Sequence, residues 1–316
     1  MWFIFSLITV LFWSFGDMFC KSTSDSDDKL SHWRIVISVG FVMGLHAVTL
    51  LVSDYASGAK DAFRLVDIVT YSPISFFYIL SMIIGYVGLR YLAVSIVSPI
   101  SNTSGAFTFI LLIIFGSFSE IDGWQIAGTI AITLGVVMLA IIEQQIDKRE
   151  RIKSGEKIDR KYTHGAFALL FPILYCIFDT LGTFGDGMVL DEWELMSEHA
   201  ALIAYELTFF LMAIYAVIHI KFIKKGNVFM GKDSWKMIFP GLCETAGQYF
   251  YTYAMVDKAY AAAPLISCYC LFSMLWGRVF LKEKLTARQY VSLGIACVGI
   301  LFFGISESFA ELGAAA

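Results

Sequence analysis

The stretch EQQIDKRERIKSGEKIDRKYTH, Glu143–His164, is the only long polar connection near the middle of this 316-residue chain. On both sides of it the sequence consists of apolar runs of about 20 residues, each long enough to cross a hydrocarbon layer about 30 Å thick. Hydrophobic residues make up 58% of the chain and charged residues 16%, whereas soluble domains have about 45–50% apolar and about 25% charged residues. The composition predicts a multi-pass membrane protein.

Ten hydrophobic segments can be delimited, five before the polar stretch and five after it. We therefore predict an all-α membrane protein with ten transmembrane helices, built as a first five-helix unit (1–143), a polar linker (144–163), a second five-helix unit (164–308) and a tail (309–316) that ends in an artificial-looking GAAA. The segments lie near 1–20, 32–53, 71–92, 96–117, 124–143, 164–184, 198–220, 237–257, 262–281 and 288–306.

Residues at the segment ends predict where some helices begin. Ser31 and Ser197 precede the second and seventh segments, as helix N-caps do. Pro99 and Pro264 open the fourth and ninth segments, where a missing N–H costs least.

Three pairs of motifs relate the two halves at nearly constant offsets of 162, 165 and 164 residues. Three matches in register indicate an internal duplication. The pairs are WSFGD (13–17) with YCIFD (175–179), SPISNTSGAF (98–107) with APLISCYCLF (263–272), and QIAGTIAITLG (125–135) with QYVSLGIACVG (289–299).

The distribution of basic residues predicts how the repeats lie in the membrane. With five helices in each repeat, the two copies must enter the membrane in opposite directions. Of the 23 lysines and arginines, all but Lys60, Arg64 and Lys258 fall in the connections after odd-numbered segments. By the positive-inside rule these connections are cytoplasmic, which puts both termini outside. Inverted repeats are typical of secondary transporters.

Three stretches carry a resemblance to a known family: LFWSFGDMFCK, SPISNTSGAFTFILLIIFG and PLISCYCLFSMLWGRVFLKEKLTARQYVSLGIACVGILFFG. The chain resembles the EamA-like branch of the drug/metabolite transporter superfamily over residues 1–306, most strongly over 263–304. The resemblance implies a ten-helix, inverted-repeat transporter of small metabolites in a bacterial plasma membrane. The chain departs from the family pattern where Ser14 and Phe15 interrupt the usual Trp-Gly and where Lys282 replaces a glycine.

Two glutamates lie deep in apolar segments, where a carboxylate costs about 2.5–3.5 kcal/mol unless it faces a cavity, has a partner or is protonated. Glu206 has apolar and aromatic helical neighbours, which suits a proton carrier or a hydrogen bond to another helix. Glu244 forms one polar stripe with Gln248 and Tyr251 at i+4 and i+7, as expected of a cavity wall or of an interhelical hydrogen-bond seam. His46, in segment two, reads as a buried histidine or a proton relay.

Two aspartates occupy matching places in the repeats. Asp17 lies four residues before Lys21, in good geometry for a helix-end ion pair, and its mate Asp179 lies one turn after Tyr175. In an inverted repeat such a pair is placed symmetrically toward the two faces, as gate residues are. Asp179 is alternatively a solvated residue near the membrane interface.

We therefore predict a secondary active transporter that moves a small cationic or zwitterionic metabolite by alternating access, either coupled to protons or by facilitated exchange. The alternatives are a channel or a non-transporting receptor and, remotely, an intramembrane aspartyl protease, for which SFGD and TFGD lack the usual first glycine. No phosphate-binding loop, nucleic-acid-binding patch, metal-ligand spacing or cofactor motif was found, and a monomer in a lipid bilayer is the expected state. The predicted substrate-binding residues are Glu244, Glu206, Gln248, Tyr251, Asp179, Tyr175, Trp13 and Asn102, and the predicted gate or coupling residues are Asp17, Asp179 and Glu206.

Overall fold

A computed structural model describes residues 1–23, 30–59, 62–88, 101–116, 121–154, 170–228, 235–280 and 284–314. Within these ranges the regular secondary structure is helical throughout. The helices are α1 (Trp2–Thr23), α2 (Ser31–Ser57), α3 (Leu65–Gly88), α4 (Ser104–Phe115), α5 (Gly123–Ser154), α6 (Leu170–Asp186), α7 (Glu198–Ile218), α8 (Ile238–Ile266), α9 (Tyr269–Phe280) and α10 (Ala287–Ala314).

In the described part of the chain, seven helices are long and apolar enough to cross a membrane. An eighth span is obtained if α8 and α9, bent by 51° at the break between them, are counted together. The apolar helix α4 is too short to span a bilayer by itself. The structure therefore establishes a multi-spanning helical fold, and the count of ten spans stays a prediction.

Several helices extend further than hydropathy predicted. α5 continues to Ser154, so the first part of the predicted linker 144–163 is helical, because its Glu, Gln, Lys and Arg residues are good helix formers. α6 continues through a π-helical turn, Gly187–Glu192, although segment six was expected to end near 184. The tail is helical as far as Ala314.

The predicted helix starts have mixed outcomes. Ser197 is the N-cap of α7, its hydroxyl accepting a hydrogen bond from the Ala200 N–H at 3.2 Å. The prediction for Ser31 is wrong: it is the first helical residue, and the helix begins without a side-chain cap. Pro99 lies outside the described residues.

Helix α8 does not end where the eighth segment was predicted to end. Only Lys258 leaves the helical conformation, with φ −156° and ψ 72°, and the helix resumes as far as Ile266. Pro264 therefore lies inside a helical stretch rather than at its start, which corrects the prediction. A turn at 267–268 then precedes α9, and the same turn occurs at 102–103 before α4, 165 residues earlier.

The helix pairs that pack together form a reciprocal pattern between the halves. α1 packs on α8 as α6 packs on α3, and α1 packs on α9 as α6 packs on α4. α2 packs on α7 and α5 packs on α10, each helix on its counterpart in the other half.

The α5–α10 contact explains the glycines of the third motif pair. A Cβ on Gly135 would lie 2.8 Å from the Ser292 carbonyl oxygen, and a Cβ on Gly299 would lie 2.8 Å from the Gly128 carbonyl oxygen. These two approaches match at an offset of 164 residues. The glutamines of the motif form the N-terminal capping boxes of the same helices, Gln125 with Asp122 and Gln289 with Thr286.

Contacts between helix ends identify the two faces of the bundle. At one end of the bundle, the N-terminal face, the Trp2 indole N–H donates to Glu307 at 2.6 Å, so the beginning of α1 and the end of α10 meet. At the opposite face Ser273, in α9, donates to Asp17 at 3.0 Å. The side of the membrane on which each face lies stays a prediction.

Candidate functional site

An aromatic group forms where α1 meets α8 and α9. The Trp13 ring lies 5.2 Å from the Tyr251 ring and 5.9 Å from the Tyr269 ring, between centroids. The Trp13 indole Nε1 is buried and has no hydrogen-bond partner among the described residues. A buried donor left in this state is a ready partner for an acceptor on a bound molecule.

Three predicted acids lie in the neighbourhood of this aromatic group. The Tyr269 hydroxyl lies within electrostatic range of Asp17 and Asp179, and Asp17 lies within range of Glu244. Ser104, on α4, is a neighbour of Asp179. We call Trp13, Tyr251, Tyr269, Asp17, Asp179 and Glu244 the central cluster.

The two repeat-related aspartates lie beside equivalent helices of the opposite half. Asp17, in the first half, accepts a hydrogen bond from Ser273 on α9, whereas Asp179, in the second half, has Ser104 of α4 as a neighbour. Asp17 is exposed and Asp179 is half-buried. The Lys21 side chain, predicted to pair with Asp17, lies outside the described residues.

Glu206 occupies a different place from the central cluster. Its side chain is fully buried in α7, and both carboxylate oxygens lie 2.8–2.9 Å from Nδ1 of His46 on α2. Sequence reasoning treated these two residues separately. The structure joins them as one acid–histidine pair, with the Tyr249 ring 6.1 Å from the imidazole.

A second acidic site was missed by sequence reasoning. Asp186, at the end of α6, is fully buried. Its Oδ1 accepts from Tyr71, and its Oδ2 accepts from Tyr78 at 2.7 Å and from Tyr251 at 2.9 Å. The three tyrosines and this aspartate form what we call the tyrosine cage, which joins α3, α6 and α8.

Three further residues were predicted to bind substrate. Gln248 is buried and donates to Thr252 at 3.4 Å within α8. Tyr175 lies within electrostatic range of Tyr269. Asn102 is buried in the turn before α4.

Polar contacts link several helices at the N-terminal face. Lys258 pairs with Glu307 at 3.6 Å, and the terminal amine lies 3.5 Å from Asp257 and 3.7 Å from Glu307. Asp191, in the π-helical turn, accepts from the Ala259 N–H at 2.9 Å, just after the break at Lys258. These contacts hold the ends of α1, α6, α8 and α10 together.

Two further features of the described part bear on ligand binding. No cluster of three or more potential metal ligands occurs among the described residues. An open cavity of about 310 Å³ lies at the N-terminal face, lined by Ala62, Arg64, Asp67, Met196, Ser197 and Ala200.

A bundle of spanning helices with buried acids and aromatic rings defines the class: a multi-pass integral membrane protein. Residues 195–305 match the EamA-like transporter family, so the resemblance predicted from the sequence is confirmed over these residues. The match indicates a membrane transporter of the drug/metabolite type.

Other comparisons support the fold alone. One solved structure, described only as "Crystal structure of protein", superposes with a TM-score of 0.69 over 96% of each chain at 12% identity. No curated protein matches the chain in sequence.

Proposed function

We propose that this protein is a secondary active transporter of a small zwitterionic or cationic metabolite, and that it works by alternating access. The observation that carries the proposal is the central cluster, in which three acids lie in the neighbourhood of aromatic rings and an unpartnered indole N–H. It lies at the meeting of helices from both halves of the chain.

The reciprocal packing supports two inverted five-helix repeats. Contacts that match at offsets of 162–165 residues occur at the aromatic, glycine and helix-break positions of both halves. Two such halves can exchange roles about a fixed site, so that it opens first to one face and then to the other. In this proposal the polar contacts at the N-terminal face hold the transporter closed on that side.

The charges of the central cluster favour a cargo with a positive group. In the described residues, the charged group that acts on Glu244 is another acid, Asp17, and the charged group nearest to Asp179 in the adjoining tyrosine cage is also an acid. An amine or quaternary ammonium group would be stabilised by these carboxylates and by the aromatic faces. The Trp13 N–H adds one donor for a carboxylate, which favours a zwitterion such as an amino acid over a simple amine.

The Glu206–His46 pair supports proton coupling. An acid and an imidazole in direct contact can pass a proton between them. The pair lies on α2 and α7, outside the central cluster, so a proton held there need not compete with cargo for the same atoms.

The test is a thermal-stability screen of the purified protein with amines, quaternary ammonium compounds, amino acids and nucleotide sugars. A ligand at 100 times its dissociation constant adds about 2.7 kcal/mol to the folded state. We expect stabilisation by zwitterions or cations that is lost in Glu244→Gln and kept in Glu311→Gln, the latter residue being exposed at the end of α10. Stabilisation by nucleotide sugars alone would contradict the proposed cargo class.

A further inference from the structure

We propose that Asp186 is a proton-binding site, and that a proton held there fastens α8 to α3 and α6. The inference rests on the proposed function in one respect, that protonation of Asp186 is a step of a transport cycle. Its geometric basis is independent of any cargo.

The basis is a count of protons within the tyrosine cage. Asp186 Oδ2, the Tyr78 hydroxyl and the Tyr251 hydroxyl form a triangle with sides of 2.7, 2.9 and 2.6 Å, all hydrogen-bond distances. Each tyrosine supplies one proton, so an ionised Asp186 leaves two protons for these three contacts. The Thr183 hydroxyl, 3.2 Å from the Tyr78 oxygen, donates its own proton to the Asp179 carbonyl and so supplies none to the triangle. If both tyrosines donate to the carboxylate, their oxygens face each other at 2.6 Å with no proton between them.

One additional proton on Asp186 satisfies the triangle. The carboxylic acid then donates to one tyrosine, that tyrosine donates to the other, and the second tyrosine donates back to the aspartate. Tyr71, on Oδ1, completes the cage without taking part in the triangle. Loss of the proton removes one of the three bonds. When the hydroxyls of Tyr78 and Tyr251 both donate to the ionised carboxylate, no proton is left for the bond between them, so that bond is lost.

The titratable groups that face Asp186 are tyrosines and another aspartate. They are Tyr71 and Tyr78 from α3, Tyr251 from α8 and Asp179 from its own helix. Tyr205, on α7, is also within electrostatic range of Asp186. None of these described neighbours is basic, so the proton on Asp186 is not replaced by a fixed positive charge.

The position of the cage links the proton to the N-terminal face. Tyr251 lies two turns before the break at Lys258, and Ala259, just after the break, is bound by Asp191 of the same segment as Asp186. Residues 186–191 therefore hold α8 on both sides of its break. Release of Tyr251 would remove the side-chain hydrogen bond that holds α8 before its break and leave the Asp191–Ala259 bond after it, which would loosen the part of α8 that carries Asp257 and Lys258.

Infrared difference spectroscopy of the purified protein over its stable pH range tests the site directly. We expect a buried carboxylic-acid C=O band that disappears as pH rises, that is absent in Asp186→Asn, and that shifts in Tyr251→Phe. Tyr290→Phe, at an exposed position on α10, serves as the control and should leave the band unchanged. A wild-type difference spectrum identical to that of Asp186→Asn would overturn the proposal.

Hydrogen exchange of peptides covering 250–262 tests the link to α8. In the wild type, exchange corrected for the intrinsic pH effect should accelerate as the band disappears. In Asp186→Asn, whose amide donates like the protonated acid, exchange should stay slow at every pH. Equal pH profiles for both proteins would show that the proton does not hold α8. Both readouts need no cargo, so a failed cargo screen contradicts the proposed function and leaves this test intact.

Discussion

The indole ring of Trp13 lies directly against the backbone of Gly247: a Cβ on this glycine would lie 2.3 Å from a ring carbon and 2.5 Å from Nε1. The same relationship recurs between Tyr175 and Gly85, each 162 residues away, where a Cβ would lie 2.6 Å from the phenol ring. The close approach places one large ring of each half directly beside a helix of the opposite half, with no side chain between them.

Gly247→Ala should displace the Trp13 ring from its place in the central cluster. Overpacking costs about 1–3 kcal/mol, and about 1.4 kcal/mol corresponds to a tenfold loss of affinity. We expect about tenfold weaker binding of the best stabilising compound, measured by thermal shift at a series of concentrations. Gly294→Ala, where an added Cβ meets no atom within 4 Å, is the control, and equal affinities in the two variants would contradict the assigned site.

Gly299→Ala should destabilise the fold through the α5–α10 contact. The added methyl group meets the Gly128 carbonyl oxygen at 2.8 Å, and backbone cannot move aside as a flexible side chain can. We expect a loss of about 1–3 kcal/mol, seen as a lower unfolding temperature in detergent. Gly135→Ala should behave alike and Gly294→Ala should cost nothing; a tolerated Gly299→Ala would refute the close crossing.

Ser197→Ala should cost about 1 kcal/mol, the typical value of an N-cap hydroxyl. Ser31→Ala tests the contrasting case, because Ser31 was predicted to cap α2 and the structure shows no such bond. The comparison uses urea or thermal unfolding of both variants in one detergent. An equal loss in the two serines would mean that the cap assignment is wrong.

Glu307→Gln should loosen the N-terminal face, because Glu307 pairs with Lys258 and the terminal amine and accepts from Trp2. A loss of about 1 kcal/mol shifts a conformational equilibrium about fivefold. The readout is the alkylation rate of a cysteine introduced by Ser6→Cys, a position that is fully buried in α1. We expect faster alkylation with Glu307→Gln than with Glu311→Gln; no difference would show that these contacts do not close this face.

The sequence predicted the parts of the fold that leave a local pattern. In each half a glutamine precedes a glycine by ten residues, Gln125 before Gly135 and Gln289 before Gly299. The spacing is the same in both halves because a capping box and a close helix crossing each require a particular residue type. Trp13 and Tyr175, which match in the two repeats, likewise each pack an aromatic ring against a glycine of the opposite half. Ser31 failed as a cap because an N-cap needs a backbone conformation that the residue type alone does not impose.

The tyrosine cage was missed because it depends on three separate helices. Hydropathy ended segment six near 184, so Asp186 was read as lying beyond the membrane helix, whereas the π-helical turn carries the helix to Glu192. A signal was present: Tyr71 and Tyr78 are seven residues apart, as are Asp179 and Asp186, and each pair shares one helical face. Nothing in the sequence shows that these faces of α3 and α6 pack against each other. Nor does it show that Glu206 contacts His46.

The most direct test of the account is flux of the best stabilising compound through the purified protein in proteoliposomes. With unlabelled compound trapped inside, the labelled compound should accumulate transiently above its outside concentration, as exchange through an alternating-access carrier requires. The same vesicles with Glu244→Gln should show little accumulation. If the inside concentration of labelled compound never rose above the outside concentration, the protein would behave as a channel and the account would be contradicted.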